Sequence, residues 1–323
     1  MFLDFALFLI GLTILYFAAE ALVQGASAMA LRMGIAPLIV GLTVVAFGTS
    51  APELVVSLAA VFTDSDDISV GNIIGSNIAN LAFILGLSAI IRPMMVSAEV
   101  IKREYPVMLG ASVLLVALAF DGQLSRVDGA ILVACMVGYL VYMARMAKVS
   151  MQSAKEEAAT RDLLEDLDGI DPEKSNNAKD IARVIFGIIG LTGGAKLMVD
   201  SAVVIASAMG VSQLVIGITV VAIGTSLPEL ATSVVASFRG ESDISVGNVV
   251  GSNVFNVLSV LGIVACLKPI SVGAAAVQYD VWVMLAVTLL IWPVMWTGKR
   301  ISRIEGGLFL VAYIAYSIWL FLR

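Results

Sequence analysis

The chain alternates long apolar runs with short polar breaks. A membrane-crossing helix needs about 20 mostly apolar residues. Runs of that kind lie at about 3–23, 35–61, 69–91, 105–120, 128–147, 182–206, 211–238, 244–267, 279–296 and 304–322. They are continuous rather than alternating, which predicts helices and argues against a barrel. The expected fold class is an all-α polytopic membrane protein with ten transmembrane helices. The first run lacks the basic stretch of a cleavable signal and is too long for its apolar core. The fourth is short, with Arg103 and Glu104 before it and Asp121 after it. One stretch reads as soluble, from Lys148 to Asp180, rich in Asp and Glu and broken by Pro172. Its acids interleave with basic residues and follow no EF-hand spacing, so it is read as a solvated loop with at most a short surface helix at 151–166.

Composition narrows the classes. Apolar residues make up 60% of the 323 residues and charged ones 14%, against roughly a quarter charged in a soluble domain. That excludes a soluble enzyme, a nucleic-acid binder and a disordered chain. There is no histidine, so imidazole catalysis and His-ligated zinc are excluded. The two cysteines, Cys135 and Cys266, sit in apolar runs and read as small buried hydrophobes. The basic residues crowd one side of the membrane: Arg32, Arg92, Lys102, Arg103, the seven from Arg145 to Arg183, Arg239, Lys299, Arg300 and Arg303. The other side has Arg126, Lys268 and Arg323. The positive-inside rule then makes the loop side cytoplasmic and puts both termini outside. The expected location is the cell (inner) membrane.

The most informative feature is internal. Residues 41–90 and 217–266 align without a gap, and 27 of the 50 positions are identical. Five apolar runs precede the central loop and five follow it, so the second copy enters the membrane from the opposite side. The expected organisation is a five-helix repeat at 1–147, a cytoplasmic loop at 148–180 and an inverted five-helix repeat at 181–323. Inverted repeats are the plan of secondary transporters, with the site at the midplane where the copies meet.

Each copy carries Gly-Thr-Ser-x-Pro-Glu-Leu, at Gly48–Leu54 and at Gly224–Leu230. Proline lacks an N–H, so Pro52 and Pro228 are expected to free the carbonyls of Gly48 and Gly224 and to tilt those of Ala46 and Ala222. Freed carbonyls in a bilayer need a partner, and a cation is one. Glu53 and Glu229 lie mid-span, where a carboxylate reads as functional. The hydroxyls of Thr49, Ser50, Thr225 and Ser226 adjoin them. The next run of each copy adds Gly-Ser-Asn-x-x-Asn, with Ser76, Asn77 and Asn80, then Ser252, Asn253 and Asn256. Ser76 and Asn80 share a helix face, as do Ser252 and Asn256. Pooled, these oxygens suit a hard cation such as calcium. Two Glu carry −2, which balances one calcium or two sodium ions.

Plainer roles compete at some positions. Gly41, Gly48, Gly71 and Gly75 read as close-packing residues. Thr49 and Thr225 can back-bond to their own helix. Asp67 and Asp243 read as helix caps. Lys196 and Asp200 are i,i+4 and pair with each other. Glu20 has no obvious partner.

The paired GTSxPEL and GNxxGSNxxN segments resemble the alpha repeats of the calcium:cation antiporter superfamily, in its prokaryotic sodium/calcium exchanger branch. The proton/calcium exchangers of that superfamily carry a different Gly-Asn-Ala-x-Glu signature, which is not found here. The resemblance implies that Glu53 and Glu229 bind calcium with the backbone carbonyls of Thr49 and Thr225. It implies one sodium site from Glu53, Ser76, Ser226 and the carbonyl of Ala222. A matching site uses Glu229, Ser252, Ser50 and the carbonyl of Ala46. Asn80 and Asn256 are the central amides, and a neutral Asn256 argues against a potassium requirement. In the family the first and sixth spans slide past the core to switch access. No cofactor is implied; the transported ions are calcium and sodium, and the exchange is electrogenic at three sodium ions per calcium. Exchange of another divalent cation, proton coupling and a passive cation channel are the alternatives. No enzyme constellation is present. Monomer and homo-oligomer both remain open.

Overall fold

The computed structural model describes residues 2–164, 177–210 and 222–322. Positions 165–176, in the expected loop, and 211–221, at the start of the seventh apolar run, lie outside the described residues. The helices are α1 (Phe2–Met33), α2 (Pro37–Phe62), α3 (Asp66–Ile91), α4 (Tyr105–Leu118) and α5 (Arg126–Leu164). They continue with α6 (Asn177–Ala208), α7 (Leu227–Arg239), α8 (Ser242–Leu267), α9 (Val281–Trp296) and α10 (Arg303–Leu322). Among the described residues, eight helices are long and apolar enough to cross a membrane. The fourth and seventh apolar runs are not among them. Helix α4 has 14 residues; α7 has 13 because it starts after a bend at Thr225-Ser226, and the first part of its run, 211–221, lies outside the described residues.

Burial orders the helices. Of the spanning windows, those of α3 and α8 are 78% and 83% buried, against 33% for α1 and 22% for α6. The first two therefore form the centre of the bundle. Helices α1 and α6 lie outside it, with Leu9, Phe17, Phe186 and Ile189 exposed. An apolar outer face is what lipid requires.

Helix α1 meets α6 through small residues. A Cβ at Gly11 would lie 2.9 Å from the Gly194 carbonyl oxygen, and one at Gly187 would lie 2.8 Å from the Leu22 nitrogen. Such backbone approach is how membrane helices gain dispersion energy without a hydrophobic drive. Gly187→Leu is expected to push the helices apart at a cost of about 1–3 kcal/mol. The unfolding midpoint of the detergent-purified protein, followed by tryptophan fluorescence, should fall by several degrees; an unchanged midpoint would remove this contact from the account.

Two small antiparallel ladders tie distant loops together. Strand β1 (Met94–Met95) pairs with β4 (Arg300–Ile301), and β2 (Gln123–Leu124) pairs with β3 (Ile270–Ser271). The ends of α2 and α7 are also treated alike. Asp64 and Gly240 hold equivalent positions of the sequence repeat, and both adopt left-handed backbone, with φ of 56° and 82°. The Lys268 ammonium donates to the Val61 carbonyl at 2.8 Å and sits 2.6 Å from Asp64. At the other end the Arg92 guanidinium lies over Gly240. Cations at helix C-termini offset the macrodipole and the open carbonyls.

Several sequence expectations change. The segment 148–164 is not loop, because α5 runs unbroken to Leu164. The extension is anchored: Ser150 Oγ accepts from the Ala36 amide at 3.1 Å and donates to the Gly34 carbonyl at 3.0 Å. Helix α6 likewise starts before residue 180, at Asn177. Glu20 does have a partner, Arg239 at the end of α7. Cys135 is exposed and Cys266 half-buried, so the buried reading fails for Cys135. Neither Asp67 nor Asp243 caps its helix. The N-cap positions are Ser65 and Glu241, and the aspartates sit in the first turns, where the dipole favours them. Lys196 and Asp200 do pair, at 3.1 Å. Gly41 packs against the backbone of Ile244 and Gly48 against the Ile188 side chain, but a Cβ at Gly71 or Gly75 would meet nothing within 4 Å, so the close-packing reading fails there.

Candidate ion site

The site starts from two broken helices. Helix α2 is interrupted at Ser50, with φ −81° and ψ 3°, and resumes at Ala51 with Pro52 in the new first turn. The same happens before α7: a one-turn helix Ala222–Gly224, a bend at Thr225-Ser226, then Leu227 with Pro228 in the first turn. Each proline thus opens a helix, where its missing N–H costs nothing, rather than kinking one. The expected outward tilt of the Ala46 carbonyl is not seen: it still accepts from the Ser50 amide, as the Ile223 carbonyl does from the Ser226 amide, at 3.0 and 3.1 Å. Glu53 and Glu229 occupy the first turns of the resumed helices. There the positive end of the dipole favours a carboxylate.

Both carboxylates are fully buried. They are held crosswise. Ser50, beside Glu53 in the chain, donates to Glu229 Oε1 at 3.2 Å. Ser226, beside Glu229, donates to Glu53 Oε1 at 3.3 Å. Ser76 of α3 donates to the same Glu53 oxygen at 3.4 Å, and its Oγ lies 3.1 Å from that of Ser226. On the other side Thr49 Oγ1 lies 3.3 Å from Ser252 Oγ. Thr49 also back-bonds to the Ala46 carbonyl at 3.3 Å, and that oxygen accepts from the Ser50 amide at 3.0 Å. Ala222 opens the one-turn helix that leads to Thr225.

Asn80 and Asn256 lie in π-helical stretches, Ala79–Ile84 and Phe255–Leu261. Such wider turns recur at functional sites. A reciprocal amide lock fixes them. Asn80 donates to Asn253 Oδ1 at 2.9 Å, and Asn256 donates to Asn77 Oδ1 at 3.0 Å. Asn77 and Asn253 each donate to the other's backbone carbonyl, at 3.4 and 3.3 Å. Among the described residues of this cluster, four buried oxygens have no hydrogen-bond donor: Glu53 Oε2, Glu229 Oε2, Asn80 Oδ1 and Asn256 Oδ1. Buried acceptors without donors are costly. Each of these acceptors has its sister atom tied down, and carboxylate and amide oxygens are the atom types that a hard cation takes.

Sequence reasoning missed the residues that hold this set. Asn72 donates to the Glu53 carbonyl at 3.3 Å and to Ser57 at 3.1 Å, and accepts from Thr225 Oγ1 at 3.1 Å. Asn248 repeats the pattern with the Glu229 carbonyl, Ser233 and Thr49, at 3.3, 3.0 and 3.0 Å. The threonine hydroxyls are therefore clamps between the two copies. The signal was available: Asn72 and Asn248 lie four residues before Ser76 and Ser252, on the same helix face.

Fold and site together define a multi-pass membrane protein built around a buried cluster of oxygen ligands. Residues 3–145 and 179–322 match the family model of the sodium/calcium exchanger proteins, and the chain belongs to that family. It is therefore a membrane transporter and not an enzyme. It is 39% identical to the inner membrane protein YrbG of Escherichia coli, over 99% of this chain and 98% of that one. It is 32% identical to the sodium/calcium exchanger MaX1 of Methanosarcina acetivorans, over 98% of each. A solved structure of the sodium-calcium exchanger NCX_Mj, soaked with sodium and calcium, superposes with a TM-score of 0.81 at 32% identity over 97% of both chains.

Proposed function

We propose that this chain exchanges sodium ions for calcium across the cell membrane by alternating access, at the site between Glu53 and Glu229. The observation that carries the reading is the set of four donor-free oxygens, Glu53 Oε2, Glu229 Oε2, Asn80 Oδ1 and Asn256 Oδ1. Calcium takes 6–8 oxygens, so carbonyls at the helix breaks beside Thr49 and Thr225 complete the shell. Sodium replaces calcium on the flanking sets, Glu53 with Ser76, Ser226 and the Ala222 carbonyl, and Glu229 with Ser252, Ser50 and the Ala46 carbonyl. Two buried carboxylates tolerate one full complement of cations at a time, and that mutual exclusion is what couples the fluxes.

The ten-span plan and the two inverted repeats, 1–147 and 181–323, belong to the same proposal. The crosswise serine contacts, the twin amide clamps and the two matched β-ladders support them. The charge bias supports a cytoplasmic central loop and outside termini. Helices α1 and α6 are the sliding pair in this reading. Leu22, Ala18 and Ile14 of α1 seat in the notches at Gly187, Gly190 and Gly194 of α6, so the two move past the core as one unit.

With three sodium ions per calcium, each cycle moves one net charge, worth ~2.3 kcal/mol per 100 mV. In proteoliposomes an outward sodium gradient should drive uptake of labelled calcium, and because one net positive charge leaves per calcium taken up, an inside-positive potential should speed it and an inside-negative one slow it. Calcium flux that ignores the sodium gradient at every potential would sink the proposal. Flux sustained in sodium-free buffer would favour proton coupling, and stronger competition by manganese than by cold calcium would favour another divalent cation.

A further inference from the structure

Four asparagine amides meet at the centre of the bundle, two from each copy of the sequence repeat: Asn77 and Asn80 of α3, Asn253 and Asn256 of α8. All four are buried. An amide accepts at one end and donates at the other. Turned one way it offers a cation an oxygen; turned the other way it offers an NH2 group, which repels one. The proposed site needs the oxygens of Asn80 and Asn256. Nothing in an asparagine by itself decides which end points in.

The other two asparagines decide it, because they are anchored on backbone carbonyls, which can only accept. Asn77 donates to the Asn253 carbonyl at 3.4 Å, and Asn253 donates to the Asn77 carbonyl at 3.3 Å. Each must present its nitrogen to the other's backbone, which leaves its Oδ1 free to accept elsewhere. Asn256 can then meet Asn77 Oδ1 only with its own nitrogen, and it does so at 3.0 Å. Asn80 meets Asn253 Oδ1 in the same way at 2.9 Å. Reversing either amide would bring two oxygens together. The oxygens of Asn80 and Asn256 are thereby turned away from the lock, and both are buried without a donor. One turn earlier on the same faces, Ser76 donates to Glu53 and Ser252 lies 3.3 Å from Thr49.

We infer that Asn77 and Asn253 are positioning residues for the cation, each acting across the two copies: Asn77 turns the Asn256 oxygen toward the ion, and Asn253 turns the Asn80 oxygen. The inference rests on the exchange reading above and gives two residues outside the ion's shell a part in holding it. It also separates orientation from packing. Asn256→Asp and Asn80→Asp each place a carboxylate with an oxygen at both ends, so neither needs an orienting partner. Both add the same charge, but each removes the dependence on a different member of the lock.

The test is a double-mutant cycle read by equilibrium binding of labelled calcium to the purified, full-length protein. Asn77→Leu should weaken binding about tenfold or more, since it frees Asn256 to present its NH2 group. In the Asn256→Asp background the same change should cost no more than about twofold, the scatter of independent sites. Asn80→Asp, with its equal charge, should bring Asn77→Leu no such relief. For Asn253→Leu the pattern should be reversed, with relief from Asn80→Asp and none from Asn256→Asp. A loss due to packing alone would follow Asn77→Leu into every background. Undiminished binding by Asn77→Leu overturns the inference and leaves the exchange reading standing, as does a loss that both aspartates relieve equally or that neither relieves. A native chain that binds no calcium removes both. Should Asn77→Leu not reach the membrane, Asn253→Leu with the same two aspartates decides.

Discussion

Glu53→Gln and Glu229→Gln are each expected to abolish sodium-driven calcium uptake while the protein still reaches the membrane. Glutamine keeps the volume and one acceptor oxygen, so packing at these fully buried positions changes little. What changes is charge. Breaking a buried ion pair by removing one partner costs roughly 3–5 kcal/mol, which is two to four orders of magnitude in affinity. The amide also turns one ligand atom into a donor. That atom no longer offers a lone pair to a cation, while burial of two like charges is relieved. Stability should therefore hold or rise as transport fails. Uptake at the native rate by either variant, at matched protein per liposome, would contradict the assigned role.

Gly251→Leu is expected to disable both the fold and the site. A Cβ at Gly251 would lie 2.7 Å from the Leu42 carbonyl oxygen, 2.9 Å from Leu42 Cα and 2.7 Å from the Ala46 Cβ. Two of those atoms are backbone and cannot swing aside. The remaining leucine carbons would force α8 off the first half of α2, and overpacking of this kind costs about 1–3 kcal/mol, occasionally more. The next residue, Ser252, contacts Thr49, whose hydroxyl also bonds Asn248. A shift there moves the clamp on the Glu229 carbonyl as well. A lower unfolding midpoint and a loss of calcium affinity should appear together. Gly193→Ala is the control: a Cβ there meets nothing within 4 Å, and alanine favours a helix over glycine by up to ~1 kcal/mol. Loss of transport in Gly193→Ala, or none in Gly251→Leu, would argue against the packing explanation.

Much of the site was legible because the chain writes it twice. An acid, a proline and two hydroxyls repeated 176 positions apart, between apolar flanks, have few other uses in a bilayer. The orphaned oxygens lie on four residues named from sequence, Glu53, Glu229, Asn80 and Asn256. The supporting contacts were not legible, because they run between the copies. Thr225 bonds Asn72 across 153 positions, and Asn77 bonds Asn253 across 176. Local spacing carries no such information. The prolines were read only for the carbonyls they free; that the chain ends one helix at Thr49 and starts another at Ala51 was not foreseen, because a proline suits the first turn of a helix as well as it disrupts the middle of one. The helical extension of α5 hid behind its charge. Its polar composition reads as loop, and the contact of Ser150 with the turn at Gly34–Ala36 anchors where it begins. Glu20 looked unpaired because Arg239 is 219 positions away.

The most direct test of the central claim is equilibrium binding of labelled calcium to the purified, full-length protein. One calcium per chain should bind, sodium should displace it with a Hill coefficient above one, and neither Glu53→Gln nor Glu229→Gln should bind it. Calcium held undiminished by both variants, or insensitive to sodium, would mean that the ion sits elsewhere.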